Sequence, residues 1–402
     1  MEEGGKSRGT LRDDLGALLS SGVAADVTIM ADSVWLPAHR VIMAARSPVF
    51  AAMFRHDLLE AANNSVSITD INQEVLRQML HFMYTDEAPL LECFGAELLA
   101  AADKYNVPRL KQQCEQQLIQ DLCMENAADC AVLAMVYSCE KLKAAAISFI
   151  SSHCKEVMAT DRWANAMRQH TEDTVKICRL LGEAERLELE CENESERSAA
   201  VEDVEGRLVS DLLVLLESGE GSDVTLMVDG ASLAAHRAVL AARSPVLAEQ
   251  LKGTPGGTLR VDGVREEELR QILLYMYSDQ LPPPASITDK LLVLADSYAL
   301  CGLKEYCEEQ LEHKITIDSA MLLAVVAIKH SCSSLKRTCV DFIRTHIFQV
   351  MDTAGWDAAV RDEAEVVLQI TKSIARAVFN DKIKEIRTNI CVTANVLKEL
   401  SK

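Results

Sequence analysis

His39 and His236 are the residues whose type and repetition first invite a chemical reading, each standing between an alanine and an arginine. An imidazole held at a fixed place could serve as a general base. That role needs a nucleophile or a substrate proton within hydrogen-bond reach and a third group to orient the ring. No nucleophile, base and orienter are grouped around either histidine, and no glycine loop has phosphate-binding spacing. The sequence therefore argues against an enzyme, and both histidines are expected to be structural, holding the hairpin that precedes them. The neighbours His153 and Cys154 lack a second ligand pair at zinc-site spacing, and none of the 13 cysteines forms a Cys-x-x-Cys pair. No metal and no cofactor is expected, and the thiols should be reduced and mostly buried. Ser47-Pro48 and Ser244-Pro245 could be phosphorylated. Their recurrence at one structural point favours a helix cap, with the proline at the first helical position, where its missing N–H costs nothing.

The elements around these residues occur twice. Leu36 to Phe50, reading Leu-Pro-Ala-His-Arg-Val-Ile-Met-Ala-Ala-Arg-Ser-Pro-Val-Phe, returns 197 residues later from Leu233 to Leu247. Each copy follows an Asp-Val-Thr strand, at Asp26 and Asp223, and precedes an apolar helix ending in Met83-Tyr84 or Met276-Tyr277. So long a period means duplicated domains and not a solenoid. The apolar positions Leu11, Leu15, Leu18 and Leu19 mark one face of a first helix. Two short strands then turn at Asp32-Ser33. Helices are predicted from about Ala38 to Ala45 and again from Ser47-Pro48, followed by a third strand around Val66 and helices at 73–83, 97–105 and 108–118. Residues 126–182 read as an all-helical extension.

Residues 183–206 form an acidic connector. Copy two then runs from a helix at 208–216 to a second extension ending near Ile374. Beyond the central helix the offset falls to 193, as Tyr84 and Tyr277, Cys114 and Cys307, and Trp163 and Trp356 show. Four residues are thus missing from copy two, and the deletion is placed where His56 to Asn64 is replaced by the glycine loop Gly253 to Gly257. Residues 379–402 add a C-terminal helix, with its apolar stretch at 383–400 and no counterpart in copy one. The expected order is a tail at 1–10, domain one at 11–125, helices at 126–182, the connector, domain two at 207–315, helices at 316–378 and the terminal helix.

Composition bounds the function. At 402 residues and 49% hydrophobic content the chain can bury two or more cores. A net charge of −20 repels a phosphate backbone, and no basic stripe opposes it, so no nucleic acid is expected. There is no membrane-length apolar run and no secretory core, which implies a cytoplasmic or nuclear protein.

The helix, the Asp-Val-Thr strand, Ala-His-Arg, Ala-Ala-Arg-Ser-Pro-Val-Phe, Phe-Met-Tyr-Thr and Leu-Leu-Ala-Ala-Ala-Asp-Lys-Tyr resemble the BTB/POZ domain. Copy one is similar to the speckle-type POZ protein group. Glu125-Asn-Ala-Ala, Phe149-Ile-Ser-Ser-His and Trp163 resemble the short BACK extension. The fold class implied is α/β, mainly helical, with two BTB/POZ domains each followed by BACK-like helices. No MATH, Kelch or ankyrin module accompanies them. The resemblance implies a non-catalytic adaptor joining an unknown client to cullin-3 in a ubiquitin ligase. Its cullin contact would use the hydrophobic-x-Glu motif Leu58-Leu59-Glu60 with Phe54, Met79 and Tyr84. Copy two has Leu251-Lys252-Gly253 there and Ile272 at the Met79 position, so the cullin contact is assigned to copy one. It further implies dimerisation through the first helices, by Leu15, Leu18 and Leu19 and by Leu212, Leu215 and Leu216. The pairing could be with itself or another BTB protein, as a homodimer or within one chain. Asp26 with Arg40 and Asp223 with Arg237 occupy the family's charged pocket, as structural ion pairs or as a peptide-binding groove. The rival reading is a non-ligase scaffold or transcription-associated assembly factor using BTB pairing alone.

Overall fold

The computed structural model describes residues 9–31, 34–56, 64–188, 207–228, 230–253, 257–261 and 263–376. The Asp32-Ser33 turn, the Leu58-Leu59-Glu60 motif, most of the connector and the terminal stretch 379–402 lie outside the described residues.

Copy one begins with α1 (Leu11–Ser21), fixed at its start by a reciprocal cap in which the Asp13 N–H donates to Thr10 Oγ1 and the Thr10 N–H donates to Asp13 Oδ2. It ends at Gly22, whose φ of 63° is the left-handed conformation a helix C-terminus favours in glycine. Next come β1 (Val27–Ala31), β2 (Val34–Ala38), α2 (Arg40–Arg46), α3 (Pro48–His56), β3 (Ser65–Ser67), α4 (Gln73–Thr85), α5 (Leu91–Lys104) and α6 (Pro108–Gln120). The sheet order is β2-β1-β3, with β2 antiparallel and β3 parallel to the central strand. Val27, Ile29 and Ala31 alternate into the core, as a half-buried strand requires.

The first extension comprises α7 (Ala127–Val136), α8 (Glu140–Ser152), α9 (Cys154–Met158), α10 (Asp161–Gln169) and α11 (Thr171–Glu188). The last of these carries helix six residues past the boundary expected at 182.

Copy two repeats this with α12 (Leu208–Ser218), β4 (Val224–Val228), β5 (Ala231–Ala235), α13 (Arg237–Arg243), α14 (Pro245–Lys252), β6 (Thr258–Arg260), α15 (Glu266–Ser278), α16 (Asp289–Ser297) and α17 (Cys301–Glu312). Its extension is α18 (Ala320–Lys329), α19 (Ser333–Thr345), α20 (Ile347–Met351), α21 (Ala354–Asp362) and a last helix, α22, over 364–376. The sheet β5-β4-β6 has the same pairing sense as the first. Where the shortened loop returns, Gly257 has φ 64° and a Cβ there would lie 2.3 Å from the Asp223 carbonyl oxygen, so only glycine lets β6 approach β4.

Two expected helix starts move. The helix predicted from Ala38 starts at Arg40, because Ala38 still pairs with Val27 in the sheet and its carbonyl accepts from the Asp26 N–H. The helix at 97–105 in turn starts earlier, at Leu91, with a break at Phe94.

Candidate functional site between the two copies

The two copies pack against each other through their first helices. Helix α1 lies on its own α4 and crosses to α13 of copy two; α12 lies on its own α15 and crosses to α2 of copy one. Leu15, Leu18, Leu212 and Leu215 are buried in this arrangement, with Leu19 and Leu216 half-buried beside them.

Two charge clusters pin the crossing. Arg46, at the end of α2, is buried with a side chain 1% exposed; it pairs with Asp86 at the end of α4 and, at 2.6 Å, with Asp211 on α12 of the other copy. Arg243 mirrors it, pairing with its own Asp279 and with Asp14 on α1 of copy one. Asp86 and Asp279 also accept across the boundary, from the Leu208 N–H at 3.1 Å and the Leu11 N–H at 2.6 Å, capping the first turn of the opposite helix. Each arginine is therefore a buried cation held by one carboxylate from each copy. Loss of water raises the Asp14 and Asp211 carboxyls above the usual range despite the arginine beside each. Neither arginine was singled out from sequence as a pairing residue. The available signal was an arginine kept inside an apolar helix in both copies, since a buried charge needs a partner.

The histidines hold the copies' internal architecture. His39 Nδ1 lies 2.8 Å from the Tyr84 hydroxyl, its Nε2 2.8 Å from the Val23 carbonyl, and its backbone N–H donates to the same hydroxyl. His236 makes the same set with Tyr277 and the Glu220 carbonyl. A carbonyl can only accept, so the network places the ring hydrogen on Nε2 and leaves Nδ1 to accept from the tyrosine. Burial lowers both imidazoles below their ordinary pKa and keeps them neutral. This is the structural role expected of them. Ser47 and Ser244 are likewise buried caps, their hydroxyls donating to the Tyr105 and Tyr298 carbonyls.

A cavity of about 660 Å³ opens at the crossing. Its floor is apolar, with Val41, Pro48 and Phe54 from copy one and Val214 and Leu215 from copy two. Val214 is 62% exposed, and its counterpart on α1 is the smaller Ala17. The rim carries Asp26, Arg40, Arg55, Glu220 and Asp223, with Arg55 of one copy paired to Glu220 of the other. Asp26 accepts from the Arg40 N–H at 2.8 Å, Asp223 from the Arg237 N–H at 2.7 Å, and the Arg237 guanidinium lies 3.8 Å from Asp223. Asp26 and Arg40 thus line the cavity, as does Asp223; the Arg40 guanidinium also sits 5.1 Å above the Phe54 ring.

Of the residues expected to touch a cullin, three lie among the described residues, and only Phe54 keeps exposed surface. Met79 and Tyr84 are fully buried, Met79 in the core and Tyr84 on the His39 network. This corrects their assignment, because side chains without exposed surface cannot form a contact with a partner. Phe54 is half-buried, stacked on Phe50, and faces the cavity. Leu58 and Glu60 lie outside the described residues. Copy two's Leu251, matched to the motif from sequence, is buried; α14 begins at Pro245 where α3 begins at Pro48, so the offset there is still 197 and Leu251 stands opposite Phe54 and not Leu58.

The BTB/POZ domain family matches this chain over residues 15–122 and 212–315, together more than half of its length. The chain belongs to the BTB/POZ family and carries the domain twice. Among solved structures it is similar to the BTB domain of zebrafish PATZ1, at 21% identity and a TM-score of 0.25, covering 30% of this chain and 98% of that one. It is also similar to the BTB (Tramtrack and Bric a brac) domain of human Gigaxonin, at 25% identity and a TM-score of 0.24, covering 29% and 98%. BTB/POZ domains are in general protein-interaction and dimerisation modules, typically non-catalytic.

Proposed function

We propose that this chain is a protein-interaction adaptor whose two BTB domains pair with each other within one polypeptide, and that it joins a client protein to cullin-3 through the first domain. The observation that carries the pairing is the reciprocal bridging of Arg46 to Asp211 and Arg243 to Asp14. It engages both first helices, the surfaces a BTB homodimer would otherwise use. Tethering gives this internal pairing a high effective concentration. The helices after each domain serve as BACK-like extensions in this reading.

The cullin contact rests on Leu58-Leu59-Glu60, a sequence motif that copy two lacks, and not on Met79 or Tyr84. The cavity between the domains supplies a second docking place, an apolar floor with a charged rim, suited to an extended partner segment anchored by an aliphatic side chain.

Calorimetric titration of the full chain with the cullin-3 N-terminal region tests the ligase reading. Submicromolar binding that Glu60→Lys weakens at least tenfold, about 1.4 kcal/mol, supports it; no binding by a well-folded parent overturns it and leaves a BTB scaffold outside the ligase. Val214→Asp, in the cavity, is expected to leave cullin affinity unchanged.

A further inference from the structure

The two sheets differ at their outer edge. In copy two the Thr225 N–H donates to the Gly257 carbonyl and the Met227 carbonyl accepts from the Val261 N–H, so both residues turn their backbone groups toward β6. A residue opposite such a position in an antiparallel pair turns its own N–H and C=O away from the shared strand. Those residues are Ala234 and Ser232 on β5, the outer strand of the sheet β5-β4-β6. Their backbone groups face outward, and no described residue pairs with them. Copy one has the same arrangement, with Thr28 and Met30 turned toward β3, and Pro37 and Trp35 opposite them on β2. Pro37 has no N–H to offer, and proline on an edge strand obstructs the addition of another strand. Ala234 restores the donor that Pro37 lacks, and Ser232 stands where Trp35 is 65% exposed. The edge is thus guarded in copy one and open in copy two.

A cavity of about 460 Å³ lies beside the open edge, between β5, the end of α12 and α15. Leu216, Leu233, Leu273 and Leu274 give it apolar walls, and Glu217 and Glu267 line it as well. Arg270 is paired with Glu266. Glu217, Glu266, Glu267 and Arg270 set three acids against one base, where copy one has Ser20, Gln73, Glu74 and Arg77, one against one. We propose that β5 is a docking edge for an extended basic and aliphatic segment of a partner protein. The segment adds to the sheet as a further strand, seats an aliphatic side chain in the cavity and sets Lys or Arg against Glu217 and Glu267. A second copy of this chain is a poor occupant: β5 against β5 brings one acidic rim onto another, and β2 lacks the Pro37 donor. The site is separate from the crossing of the two copies and does not depend on cullin binding.

Fluorescence anisotropy of the full chain with a labelled peptide, acetyl-Lys-Thr-Val-Thr-Val-Lys amide, tests this. The expected result is saturable binding with a dissociation constant below about 1 mM, weakened at least tenfold by Ala234→Pro and by Glu217→Lys. Ala234→Pro brings in the residue copy one already carries, and its urea midpoint should match the parent's. Methylating one alternating set of the peptide's backbone nitrogens should abolish binding and methylating the other should not, a signature of strand pairing that needs no variant of the protein. No saturable binding by the folded parent overturns the proposal, as does equal binding of a peptide with glutamate in place of both lysines. Binding kept in Ala234→Pro but lost in Val214→Asp would place the peptide in the cavity at the crossing and equally overturn it. So would a doubled mass of the chain without peptide that Ala234→Pro returns to monomer, which would assign the edge to a second copy.

Discussion

Arg46 donates to Asp211 at 2.6 Å, joining residues 165 positions apart in the sequence and in different copies of the domain. The guanidinium is buried and also pairs with Asp86, whose side chain is 4% exposed, so its removal leaves that carboxylate with only the Leu208 N–H and, at 3.9 Å, the half-exposed Arg12. Arg46→Ala is expected to lower the unfolding free energy by about 3–5 kcal/mol in urea titration, the cost of breaking a buried pair from one side. Asp211→Asn keeps an acceptor facing Arg46 and leaves Asp86 to balance its charge, so its cost should stay near 1 kcal/mol. Equal costs for the two would mean that the arginine is not the centre of the cluster.

Stability should fall as the solution is acidified through the histidine range. His39 and His236 are buried with imidazole pKa values lowered from the ordinary 6.5. The unfolded chain therefore binds protons that the folded chain resists, and stability increases with pH in that window. Their contribution is complete above about pH 6.5 and is lost progressively below it, at about 1.4 kcal/mol for each unit by which a folded pKa is lowered. Chemical denaturation at pH 7.5, 6.5 and 5.5 measures the slope. The double variant His39→Gln/His236→Gln should flatten it, and a slope unchanged by that variant would place the acid sensitivity elsewhere.

Tyr84 belongs to the fold and not to a partner. Tyr84→Phe leaves the His39 N–H and Nδ1 without their shared hydroxyl, an expected loss of about 1–3 kcal/mol. Binding of any partner by the folded fraction should be unchanged. A variant of parental stability with weakened partner binding would return Tyr84 to the surface.

Buried thiols should resist labelling in the folded state. Burial pushes Cys114, Cys130, Cys307 and Cys339 up to about 12, so almost no thiolate exists at neutral pH. Timed alkylation should modify Cys93, Cys123, Cys178 and Cys301, which are exposed, well before these four. Early modification of Cys130 and Cys339 would show that the helical extensions open readily, and of Cys114 and Cys307 that α6 and α17 of the domains do.

The repeat, both hairpins, the serine caps and the helical extensions were legible because each rests on local pattern: strand alternation, a Ser-Pro start, apolar spacing. The structural role of the histidines was legible for the same reason. Which first helix crosses to which copy was not, because Leu15 and Leu18 face their own α4 and the foreign α13 with one stripe, and hydrophobic spacing carries no address. The address lies in Arg46, Asp86 and Asp211, which are far apart in sequence and meet only after both domains have formed. Met79 and Tyr84 were misplaced because an apolar residue on a helix reads the same whether it faces a core or a partner.

The mass of the full chain in solution tests the central claim, pairing of the two BTB domains within one polypeptide. Sedimentation equilibrium from 1 to 100 µM is expected to give a single species of 44.2 kDa, with Arg46→Ala either remaining monomeric or associating through its exposed first helices. A parent that is a dimer at every concentration, and that Arg46→Ala dissociates to monomer, would show that these contacts join two chains and would contradict the account.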